Sequence, residues 1–112
     1  MRVYLTRKTG DISATGEYNP ATKSLTVLKG SRVSAKIAYS EKFRGAKTIE
    51  KNRLETVVDS IVTKDIVFKS SSTAANFVTG SSTNGLTAWK NEAGHQLNEV
   101  IAKLNDGRLA DD

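Results

Sequence analysis

Asp65-Ile66-Val67-Phe68-Lys69-Ser70-Ser71-Ser72-Thr73-Ala74-Ala75-Asn76-Phe77-Val78-Thr79-Gly80 changes its pattern halfway along. Residues 65–69 are a short run of β-branched and aromatic side chains between polar ends, which reads as a buried strand. Residues 70–73 then offer four hydroxyls, each able to accept a hydrogen bond from the amides that open a helix without partners. Residues 74–78 continue as that helix, and Gly80 stands where a left-handed residue ends one. A strand that runs straight into a capped helix puts both element types on one core. The chain is therefore expected to fold as an α+β domain, an antiparallel sheet of four to six strands with about three helices packed on it.

The flanks extend this reading. Upstream, residues 3–6, 12–18 and 25–28 are short β-rich runs separated by the polar turn at 7–10, by Asn19-Pro20 and by Lys29-Gly30-Ser31, the spacing of an antiparallel meander. Residues 33–39 suggest a further extended segment. Ala46, Ile49, Leu54, Val57, Val58 and Ile61 fall largely on one face of a helix, the last four at i, i+3, i+4 and i+7. Downstream, Asn84-Gly85 is a strong hairpin signal, so residues 86–90 are expected to form a strand, with a turn at 91–94. Leu97, Val100, Ile101 and Leu104 predict a terminal helix that stops near Gly107, with 109–112 frayed. The 112 residues suit one domain, with a core over about 3–105.

Composition removes several function classes. The chain has no cysteine, which excludes disulfides, thiolate metal sites and a cysteine nucleophile. Its single histidine, His95, lies in an expected turn with no local serine partner, and no phosphate loop or zinc spacing occurs. We therefore expect no catalytic residues, no metal and no cofactor. No apolar stretch has the length of a membrane span or a signal-peptide core, so a cytoplasmic protein without membrane association is expected.

Charge points toward a polyanion. Residues 1–56 hold 12 basic and 5 acidic side chains, whereas residues 57–112 hold 5 and 7, which suggests either a one-sided field that steers polyanions or charge that simply keeps the protein soluble. Arg44, Lys47 and Lys51 recur at helical spacing as a basic ridge, and Lys29, Arg32, Lys42 and Arg53 add to the phosphate-binding candidates. Ser70, Ser71 and Ser72 either cap a helix or also receive a phosphate there. Asn84 is a candidate polar contact. Trp89 beside Lys90 is either a ring that stacks on a nucleobase or the tryptophan of the core.

The segment from Asp65 to Gly80, followed by Ser81-Ser82-Thr83-Asn84-Gly85-Leu86-Thr87-Ala88-Trp89-Lys90, resembles the DUF4357 domain family, and more distantly the RAMA domain associated with restriction enzymes and adenine methylases. The pattern is carried by Phe68, Ser70, Ser72, Ala74, Ala75, Gly80, Asn84, Gly85, Trp89, Lys90 and Gly94, and the likeness spans about residues 14–100. Leu86 departs from it where an aromatic is usual, and Ser81 where an arginine is common. Because such domains commonly follow nucleases or other DNA-processing domains, the resemblance implies a non-enzymatic accessory module. Its partner would be nucleic acid, DNA first, or a DNA-processing protein. The alternative is a protein-interaction module that regulates or scaffolds an enzyme, which an exposed apolar patch at Phe77, Leu86 or Trp89 would favour.

Overall fold

The computed structural model of the protein describes residues 1–7, 10–35 and 46–110. Strands β1 (Arg2–Thr6), β2 (Ser13–Tyr18) and β3 (Leu25–Val27) form the expected meander. Next come helix α1 (Ala46–Thr56), the paired strands β4 (Val57–Val58) and β5 (Ile61–Val62), and β6 (Ile66–Phe68). Helices α2 (Ser71–Thr79), α3 (Gly85–Ala88) and α4 (Leu97–Ala110) complete the chain. The four-stranded sheet runs β1-β2-β3-β6, all neighbours antiparallel, and β4-β5 is a separate ribbon. The α+β expectation holds, with four helices among the described residues.

Alternation decides which side of the sheet is buried. Val3, Leu5, Ala14, Gly16, Tyr18, Leu25, Val27 and Phe68 all face inward. Helix α2 lays Ala74, Ala75, Phe77 and Val78 on them, and the Phe68 and Phe77 rings meet tilted with centroids 5.0 Å apart. Ser70 caps α2 by accepting from the Thr73 amide, and Gly80 ends it at φ 73°, ψ 15°. Both ends were legible in the sequence.

Three expectations are corrected. The helix expected through Ile61 stops at Thr56, because Asp59 and Ser60 both take positive φ (51° and 67°) and form the two-residue turn of a tight hairpin. Val57, Val58, Ile61 and Val62 are β-branched and favour strands. Leu54, expected on the buried face, is 79% exposed. Second, Asn84-Gly85 makes no hairpin: the Asn84 side chain accepts from the Leu86 amide and caps the single turn α3, so 86–88 are helical. Third, α4 continues past Gly107 to Ala110. Of the extended segment expected at 33–39, Val33 is buried in the core, while 36–39 lie outside the described residues.

Candidate functional site: the open face of the sheet

Among the described residues, helices cover one side of the sheet and leave the other open. In antiparallel pairing, directly opposed residues project from the same face. Arg2 opposes Glu17, Tyr4 opposes Thr15, Thr6 opposes Ser13, and Thr26 opposes both Glu17 and Val67. Two further pairings widen this face. Lys90 exchanges backbone hydrogen bonds with Tyr4 in both directions (2.7 and 2.8 Å), so its side chain stands beside the Tyr4 ring while Trp89 points into the core. Arg32 exchanges two bonds with Ser13 (3.0 and 2.8 Å) and bridges to Ile61, which places it on the same face at its far end.

The result is a centre of hydroxyl side chains and one aromatic ring, with cations at the margins. Glu17 is neutralised there: the Arg2 guanidinium hydrogen-bonds it and the chain's amino group lies 3.3 Å away, which together hold its carboxyl below the usual carboxylate range. The Tyr4 hydroxyl donates to Glu92 at 3.3 Å across a cleft of about 360 Å³ that Thr6, Lys90 and Asn91 also line. Sequence reading missed Tyr4, Thr6 and Glu92. The alternation of residues 2–6 holds the signal for the first two, but the partner turn at 90–94 is distant in sequence.

The expected phosphate contacts separate into two groups. Lys29, Arg32, Lys47, Lys51 and Lys90 are exposed, and none of their side chains forms an ion pair with a carboxylate among the described residues, although the Asp65 carboxylate accepts from the Lys29 amide at 2.8 Å. Lys51 stands beside β6, where it lines a shallow groove with Ile66 and Val67, and Lys47 is one turn back along α1. Lys42 and Arg44 lie outside the described residues, so the ridge is described only at Lys47 and Lys51.

The other candidates are structural. Ser70 caps α2, Ser72 Oγ accepts from the Gly85 amide at 3.0 Å, and Asn84 caps α3. Ser71 is buried, and its carbonyl accepts from the Trp89 indole Nε1 at 3.0 Å. Trp89 itself is 0% exposed, so the core reading is correct and stacking on a ligand is not. Arg53 is also a correction. Its guanidinium donates to the carbonyls of Phe77 (2.6 Å) and Ser34 (2.8 Å), reaches Val78 and Ser34 Oγ, and lies 5.7 Å from the Phe77 ring centroid. It binds α1 to the carbonyl end of α2, where a cation is favoured. Arg53→Ala is expected to cost about 2–3 kcal/mol in urea unfolding, because several carbonyls lose a charged donor. Arg53→Lys should recover only part of this, since an ammonium lacks the planar fork.

Elsewhere, His95 is exposed with Nδ1 3.3 Å from Glu99. Among the described residues there is no group of three or more His, Cys, Asp or Glu placed to hold a metal ion. No described helix is long and apolar enough to cross a membrane. On the covered side, Tyr18, Pro20, Leu86, Ile101 and Leu104 line an apolar groove of about 580 Å³ with Lys23 at its rim.

Nothing among curated proteins or solved structures matches the chain. A family model does, over residues 4–101, a span that takes in all of the sheet but the first two residues of β1, the cleft beside Tyr4 and the start of α4. The chain belongs to the DUF4357 family, a domain of unknown function.

Proposed function

We propose that the domain is a non-enzymatic nucleic-acid-binding accessory module, acting in the cytoplasm beside restriction, modification or other DNA-processing enzymes. The observation that carries this reading is the open sheet face, where Arg32 and Lys90 stand without carboxylate partners around hydroxyls and the Tyr4 ring. Phosphates would be met by these two side chains, with Lys51 beside the face, Lys47 on α1 and Lys29 in the turn after β3. Unpaired lysines and arginines bind phosphates by releasing condensed counterions, so affinity should fall steeply with salt. Anisotropy of labelled DNA at low and physiological salt tests this. The double variant Arg32→Glu, Lys90→Glu is expected to weaken binding roughly ten-fold or more and to flatten the salt slope. Absence of binding by the unaltered domain at low salt would overturn the proposal.

A second reading, a protein-interaction module, is favoured by the apolar groove. Phe77 and Trp89 are buried, but Leu86 and Leu104 are 41% and 42% exposed along it. A stoichiometric protein partner that is lost with Leu86→Asp, together with no binding to nucleic acid, would select it.

A further inference from the structure

We infer that the open face takes single-stranded nucleic acid, with one unpaired base stacked on the Tyr4 ring in the cleft and its edge taking the place of the Tyr4 hydroxyl at the Glu92 carboxylate. This rests on the nucleic-acid reading above and narrows it to a ligand class. Duplex readers insert a helix or ribbon into a groove. The candidate helix, α1, offers Lys47 and Lys51 mixed with Glu50, Glu55 and the exposed Leu54, a poor fit to a continuous phosphate ridge. The sheet face instead presents one half-buried aromatic ring among hydroxyls, with Lys90 beside it. An aromatic ring in that setting can stack only on a base that is not already stacked in a duplex.

Hydrogen bonds shape the cleft walls. The backbone of Lys90 is fixed to Tyr4 in both directions. The Asn91 side-chain oxygen accepts from the amides of Ala93 and His95, which shapes the turn carrying Glu92. Glu92 is exposed, and its described partner is the Tyr4 hydroxyl. A carboxylate only accepts hydrogen bonds, so beside a stacked base it favours an exocyclic amine, as on cytosine or adenine, over thymine, whose one edge donor, N3–H, lies between two carbonyl oxygens that repel a carboxylate. Lys90 is placed for the adjoining phosphate.

The test is anisotropy with labelled oligo(dC), oligo(dA) and oligo(dT) of about twelve nucleotides, together with a duplex of equal length. Oligo(dC) or oligo(dA) is expected to bind roughly ten-fold tighter than oligo(dT) and than the duplex. Tyr4→Ala should lower affinity for every single strand about ten-fold, whereas Tyr4→Phe, which keeps the ring, should not. Glu92→Ala should remove the preference over oligo(dT). Thermal melts confirm that each variant is folded. Duplex bound more tightly than any single strand would overturn this inference and leave the nucleic-acid reading standing. Single strands bound without preference, unchanged by Tyr4→Ala, would overturn it too. No binding to any of the four would remove both.

Discussion

Gly85→Ala is expected to be the most damaging single methyl that can be added to this domain. A Cβ at Gly85 would lie 2.2 Å from the carbonyl carbon of Ser71, 2.3 Å from its oxygen and 2.4 Å from the Ser72 amide nitrogen. All three are backbone atoms at the start of α2, so no rotamer change relieves the clash. The position is also tied in place, because the Gly85 amide donates to Ser72 Oγ and Asn84 caps the same turn. Overpacking of a core ordinarily costs about 1–3 kcal/mol, and a collision with fixed backbone should exceed that range. We expect a loss of about 3 kcal/mol or more in urea unfolding, or failure to fold. A melt within a degree or two of the parent would show that α3 can move off α2, contrary to the packing described. Gly94→Ala is the comparison: its φ is +87° but nothing lies within 4 Å, so only backbone strain of about 1 kcal/mol is expected.

Trp89→Ala is the second large effect. The ring is wholly buried, and a Cβ on Gly16 would come within 3.4 Å of it, so the strand beneath leaves just the space it fills. Removing it should cost about 3–5 kcal/mol through lost burial and the cavity left behind. The Ser71 carbonyl would also lose its indole donor. Trp89→Phe keeps most of the apolar volume but not the donor, and a loss of about 1–3 kcal/mol is expected for it. Because this is the only tryptophan, its fluorescence should report a dry environment in the folded domain and shift to the red on unfolding. Adding nucleic acid should leave that emission unchanged, since the ring faces away from the open face. Quenching by a bound oligonucleotide in a domain that stays folded would contradict this placement.

What could be read from the sequence follows the range of the interactions involved. The β1–β3 meander, β6 and the capped α2 were legible because alternation, the Ser70 hydroxyl and Gly80 are local signals that the core does not override. The stretch from Leu54 to Ile61 was misread because its apolar spacing fits a helix, while the actual turn uses Asp59 and Ser60 rather than the glycine or asparagine that usually marks one. Asn84-Gly85 failed in the opposite way: the glycine is there for a close approach to the Ser71 backbone, not for a left-handed conformation, and sequence cannot separate the two uses. For the candidate site, the exposed cations were identified by charge alone. Arg53 and Ser71 were misassigned, and Trp89 was left between core and contact, because only tertiary contacts show that their polar atoms are already engaged. The open face was invisible because Lys90 and Arg32 join it through pairings with residues far away in the chain.

The pairing of Lys90 with Tyr4 has a consequence for how the molecule behaves in a crowd. A sheet whose outer strand is bare can add a strand from a second copy and begin to aggregate. Here Lys90 occupies hydrogen-bonding groups of β1 at its middle residue, so an incoming strand would have to displace it. The other outer strand, β6, is three residues long and has Lys51 beside it. Short length and a neighbouring lysine are both known deterrents to strand addition. The domain can thus present a broad face that its described helices leave uncovered without inviting copies of itself to zip up along its sides.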